Sequence, residues 1–80
     1  MKIRNDLAIS ETGFIFDPIS GESFSLNQIG TEIFSLYKEE KSQEEIKKII
    51  IEKYEVSETE LDKSLTDFEG MMKEYNFIQD

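Results

Sequence analysis

This sequence predicts a small α+β domain: a three-stranded antiparallel sheet followed by three helices, winged-helix-like in general shape. Three observations carry that reading. The chain has 80 residues, enough for one domain over 1–80 with a modest core. Its apolar residues recur with a period of two from Leu7 to Leu26, and with the period of a helix from Gln28 onward. The strand candidates all precede the helix candidates, so the helices must stack on one face of the sheet.

The strands come first. Leu7-Ala8-Ile9 is a weak first strand, turned back by Ser10-Glu11-Thr12-Gly13, and Phe14-Ile15-Phe16 is the second. Asp17-Pro18-Ile19-Ser20-Gly21 has the chemistry of a turn, with Pro presetting φ and Gly supplying a positive φ. Ser23-Phe24-Ser25-Leu26 then alternates polar and apolar. Phe14 and Phe16 share one face, and Phe24 and Leu26 share another. A hairpin is expected to make those two faces coincide.

Asn27 is a good N-cap for the first helix, whose apolar face is Ile29, Ile33, Leu36 and Tyr37, with Phe34 beside it. Gly30 weakens that helix by up to ~1 kcal/mol relative to Ala, which makes sense if another backbone approaches it. Ser42-Gln43-Glu44-Glu45 is a capping box opening a second helix with the stripe Ile46, Ile49, Ile50, Tyr54. Ser57-Glu58-Thr59-Glu60 is a second capping box. Its helix carries Leu61, Leu65, Phe68, Met72 and Tyr75, the sharpest amphipathic stripe in the chain. Asn76 ends it, and Phe77-Ile78 are expected to fold back onto the core.

Composition narrows the chemistry. There are 9 Lys+Arg against 18 Asp+Glu, a net charge of −9, with a single Arg. Such a field repels phosphate backbones, so no nucleic-acid partner is expected. There is no Cys and no His, which removes thiolate nucleophiles, imidazole bases, zinc-thiolate sites and histidine metal ligands. The many carboxylates alternate with lysines, as on solvated helix faces, and none is singled out for acid–base work. Asp17–Glu22 lacks the alternating ligands of a calcium loop. No apolar run approaches a membrane span, and Lys2 and Arg4 introduce no signal-peptide core. A cytoplasmic, non-enzymatic protein with no cofactor and no membrane contact is expected, with a monomer favoured.

What the residues offer instead is a binding edge. Ser23 and Ser25 face outward on a short uncharged strand. If that strand is at the sheet edge, its backbone is open to another strand. Met71 lies about 100° round the third helix from Met72, on a flank shared by Ser64, Phe68 and Tyr75. Ordinary core filling accounts for Met71 as well. The sharper reading is a peptide groove made by Ser23, Phe24, Ser25, Leu26, Ser64, Phe68, Met71 and Tyr75. Only one of Ser23 and Ser25 is expected to aim its N–H outward. The charge is uneven, −2 over residues 1–38 and −7 over 39–80, so a client bearing Lys or Arg around a short apolar core is expected.

The ordered set Gly21, Phe24, Leu26, Asn27, Gly30, Ile33 and Phe34 resembles the PqqD-like peptide chaperones, also called precursor-peptide recognition elements. The tail Tyr54, Val56, Leu65, Phe68, Met72, Phe77 and Ile78 fits the same pattern. The opening from Gly13 to Phe24 is especially similar to a subgroup found with HPr-kinase-related proteins. The resemblance implies three strands and three helices. It also implies binding of the leader of a ribosomally made precursor peptide, as a strand beside the third strand and against the third helix, for presentation to a modifying enzyme. The chain departs from the family at Lys41, where Gly is common at the end of the first helix. It departs again at Ser64, often an acid, and at Glu69, often an apolar residue. Two rivals keep the same shape: a docking subunit of a kinase-like or other modifying enzyme that binds no peptide, and a winged-helix nucleic-acid binder.

Overall fold

The computed structural model describes residues 2–78. Three strands precede three helices: β1 (Ala8–Ile9), β2 (Phe14–Phe16), β3 (Ser23–Ser25), α1 (Gln28–Lys38), α2 (Gln43–Tyr54) and α3 (Glu58–Glu74). The sheet is antiparallel in the order β1-β2-β3, so β1 and β3 are its two edges.

The pairing of β2 with β3 corrects one expectation. Ile15 lies opposite Phe24, while Phe14 pairs with Ser25 and Phe16 with Ser23. Successive side chains point to opposite faces, so Phe24 shares its face with Ile15, not with Phe14 and Phe16. Ile15 is fully buried, and Phe14 and Phe16 stand 56% and 44% exposed on the outer face. The Phe-Ile-Phe triplet is apolar on both faces, so its pattern alone did not say which parity turns inward.

The helix starts follow the sequence. Asn27 Oδ1 accepts from the Gly30 N–H at 2.7 Å. Ser42 and Glu45 close a full capping box on α2. The box on α3 is half-formed: Ser57 Oγ accepts from the Glu60 N–H at 3.1 Å, without the reciprocal bond among the described residues. Gly30 is explained by its own cap. A Cβ there would meet Asn27 Oδ1 at 3.1 Å and the Leu26 side chain, not a second backbone.

Helices α1 and α3 both end in left-handed residues, Glu40 at φ 61° and Asn76 at φ 58°. Each closes a Schellman motif, with Lys41 N–H donating to Leu36 O and Phe77 N–H donating to Met72 O. The position that favours glycine is thus Glu40, one residue before the Lys41 noted above. The turn at Asn76 swings the chain back and buries Phe77 fully.

Around Ile15 the core gathers Phe34, Ile46, Ile50, Leu65, Met72 and Phe77. Gly13, at φ +93°, admits no side chain, because a Cβ would lie 2.6 Å from both Leu26 O and Thr31 Oγ1. That close approach locks the start of β2 to the end of β3.

The N-terminal segment contributes more than its sequence announced. Ile3 is buried and bridges to Ile78, and the Arg4 N–H donates to Phe77 O at 2.8 Å. The Arg4 guanidinium then ties three separate segments. It donates to Asp17 Oδ1 at 2.8 Å, to Asp6 Oδ2 at 2.9 Å and to the Asn76 carbonyl at 3.1 Å. Asp17 is buried, and its Oδ1 also accepts from the Ile19 N–H at 2.9 Å. Asp17–Glu22 is accordingly a turn, closed by Asp17 N–H to Glu22 O at 2.9 Å.

The Arg4 guanidinium, with help from the Ile19 N–H, holds the Asp17 carboxyl down at about 2. Because the folded value lies below the ordinary 3.8, the stabilisation is complete above about pH 3.8 and disappears as pH falls toward 2. Replacing Arg4→Gln should lower Tm at neutral pH. The gap from wild type should narrow as melts are repeated from pH 4 down to about 2. A gap independent of pH would show that Arg4 acts by packing alone.

Candidate functional site

The two edges of the sheet differ. In an antiparallel ladder, residues alternate between bonding one neighbour and bonding the other. Leu26 N–H donates to Gly13 O at 2.8 Å and Asp17 N–H donates to Glu22 O at 2.9 Å, bracketing the Ile15–Phe24 pair. Phe24 therefore spends its N–H and C=O on β2. Ser23 and Ser25, one residue to either side, both turn theirs away from the sheet. The expectation that only one of them aims outward is corrected: they are two residues apart and share an orientation. No other segment of the described residues pairs with β3 on that side.

The β1 edge is closed down. It is two residues long, and the outward carbonyl of Leu7 beside it accepts from Lys38 Nζ at 3.0 Å. A short edge occupied by a lysine is protected against strand addition.

Beside the open edge runs a groove of about 420 Å³ between the end of β3, the first turns of α1 and the flank of α3. Of the residues singled out from the sequence, Ser25, Leu26, Ser64, Phe68 and Met71 line it. Phe24 and Tyr75 line a neighbouring depression of about 260 Å³ toward the β2–β3 turn. Their rings touch, with centroids 4.5 Å apart, and Phe24 also meets Phe77 edge-on at 5.3 Å. Ser23 lines neither depression and enters only through its edge backbone.

Within the groove the side chains have distinct duties. Phe68 is mostly core: its ring stacks on Tyr37 at 5.8 Å and meets Phe34 edge-on at 6.3 Å, leaving one side to the groove. Met71 is half-buried and off the central stripe, which suits an adaptable wall. Ile29, Gly30 and Ile33 form the opposite wall, and Asp67 stands on the α3 side. Sequence reasoning missed these four. Two signals were available. Only Leu26 and the N-cap Asn27 separate β3 from α1, so the first turn of α1 must lie near the end of the strand. Asp67 lies three residues after Ser64 and four before Met71, on the same helical flank.

The two α3 departures separate spatially. Ser64 is in the groove, but Glu69 is not. Glu69 Oε1 accepts from the Tyr37 hydroxyl at 3.1 Å and from Gln43 Nε2 at 3.0 Å, tying α3 to α1 and α2. Burial, and then the Glu69 charge, push the Tyr37 phenol up and keep it a donor. A second depression of about 420 Å³ lies on the other side of α1, lined by polar groups such as Glu11, Glu32 and Tyr54. It has no open strand edge beside it. Among the described residues no group of three or more carboxylates is placed to hold a metal ion, and no helix is long and apolar enough to cross a membrane.

The fold has a counterpart among known proteins. A solved structure described as TbiB1 in complex with the TbiA(beta) leader peptide superposes with a TM-score of 0.83 at 27% identity, covering 100% of both chains. No curated protein matches the chain. The family described as Coenzyme PQQ synthesis protein D (PqqD) matches residues 12–78, from the β1–β2 turn through the buried C-terminal segment. With that match running across β2, β3, all three helices and the residues of the groove, the chain belongs to the PqqD family.

Proposed function

We propose that residues 1–80 form a single, non-catalytic peptide-recognition domain acting in the cytoplasm. It takes the leader of a ribosomally made precursor peptide as a fourth strand on β3 and presents it to a modifying enzyme. The observation that carries this reading is the one-sided sheet. The β3 edge is open above a groove, while the β1 edge is short and capped by Lys38. The structural neighbour described with a leader peptide, and the family match, support a leader peptide as the client.

In this mode the Ser23 and Ser25 backbones bond the incoming strand and fix its register while choosing little sequence. Leu26, Phe68 and Met71 receive an apolar side chain, with the Ser64 hydroxyl at the rim. Phe24 and Tyr75 offer a ring surface to the next side chain on that face. Presentation needs a second contact. The outer sheet face supports it: Ala8, Phe14, Phe16, Ser23 and Ser25 are exposed there and none is charged. Alternate side chains of the added strand would extend this face, offering the enzyme a surface shared by domain and client.

Peptides for the test come from a random library displayed on phage, selected on the immobilised domain. Their dissociation constants should lie roughly between 0.1 and 10 μM, as for small interfaces. Both Ser23→Pro and Ser25→Pro should abolish binding while the domain still melts cooperatively, because each removes an outward N–H. Phe24→Pro removes a ladder bond to β2 and should unfold the hairpin. Retained binding in both folded serine variants would mean β3 is not the docking edge.

The walls of the groove separate core from contact. Leu65→Ala deletes a fully buried side chain and should cost about 2–5 kcal/mol of stability. Met71→Ala should spare most of the stability and weaken peptide binding, read by calorimetry beside thermal melts. Equal losses of Tm would make Met71 a core residue.

A further inference from the structure

The charged side chains along the two depressions are all of one sign. Asp67 is the charged residue lining the larger one, and Asp17, Glu22 and Glu74 line the smaller; no Lys or Arg lines either. Asp17 is answered by Arg4. Asp67, Glu22 and Glu74 are exposed and make no salt bridge among the described residues. Among these acids, beside uncharged polar groups such as Ser64 and Asn76, lie apolar surfaces: Ile29, Ile33 and Met71 in one depression, the Phe24–Tyr75 pair in the other. The depressions follow one another along the strand. Glu22 precedes β3 and lines the smaller, and Leu26 follows β3 and lines the larger.

A strand laid on this edge rises about 3.3 Å per residue and turns every second side chain toward α3. The distance from Glu22 to Leu26 is then about 13 Å, room for two inward side chains about 7 Å apart. From this geometry we infer that the recognised peptide carries an apolar pair at positions i and i+2 with a Lys or Arg beyond each end. One cation meets Asp67, and the other meets Glu22 and Glu74. At the second end the Tyr75 ring, 39% exposed, offers its face to the same cation. This rests on the strand-addition reading and adds the client's chemical class to it. The acids sit at an exposed rim, so they contribute modestly to affinity and act mainly by rejecting acidic segments and speeding encounter.

The experiment compares phage-displayed random peptides recovered by wild type, by Asp67→Lys and by Glu22→Lys/Glu74→Lys. Glu52→Lys, on α2 and lining neither depression, is the control for the general field. All four positions are exposed, and thermal melts verify that each variant folds. Wild type should recover apolar pairs flanked by Lys or Arg. Each reversal at the groove should weaken those peptides about tenfold and shift its own selection toward Asp or Glu, whereas Glu52→Lys should change affinity less than about twofold. Two results overturn the inference and leave strand addition standing: peptides that need the β3 edge, judged by their loss in Ser25→Pro, but show no basic bias; or equal weakening by Glu52→Lys. Recovery of no peptide by wild type overturns the strand-addition reading and this inference together.

Discussion

The pairing of Ile15 with Phe24 sets the direction of everything else in the sheet. Ile15 is fully buried beneath the helices, and that burial fixes the parity of β2. Parity then dictates that Phe24 faces inward against Tyr75 and Phe77, and that its backbone bonds β2. The neighbours Ser23 and Ser25 are left with outward backbones by the same constraint. Gly13 enforces the register from the other end, since no side chain fits between its Cα and the Leu26 carbonyl. A one-residue slip would turn the Phe24 side chain out to solvent and bury the serines at once, with the Phe24 backbone at the edge in place of theirs.

Much of this was legible in the sequence because local rules and global fold agree. The caps at Asn27, Ser42 and Ser57, the stripe from Leu61 to Met72 and the return of the chain after Asn76 each follow from one residue type in one place. The parity of Phe14-Ile15-Phe16 was not legible, because a triplet apolar on both faces carries no period. The role of Arg4 was hidden for a different reason. Beyond Asp6, its partners are 13 and 72 residues away, and such contacts leave no local pattern. The site was read from its strand and from α3, yet the α1 wall was missed, although the two-residue β3–α1 connection keeps the first turn of α1 beside the strand end.

The clip at Arg4 also explains how so small a sheet stays ordered while keeping one edge free. An unpaired edge strand of three residues has little to hold it. Here the turn before β3 is fastened through Asp17 to the N-terminal segment and to the end of α3, and Phe24 is wedged against Tyr75. The strand is thereby held in an extended shape before any partner arrives, which lowers the ordering entropy that a peptide must overcome. The opposite edge is treated in the contrary way, short and occupied by Lys38, so an incoming strand has one side to choose.

The central claim is that β3 accepts a fourth strand, and backbone hydrogen exchange followed by NMR tests it amide by amide. In the free domain the Ser23 and Ser25 amides should exchange quickly and the Phe24 amide slowly. With a selected peptide at saturation, Ser23 and Ser25 should become protected while the amides at the β1 edge stay as they were. Protection at β1, or peptide binding that leaves Ser23 and Ser25 exchanging as fast as before, would contradict the account.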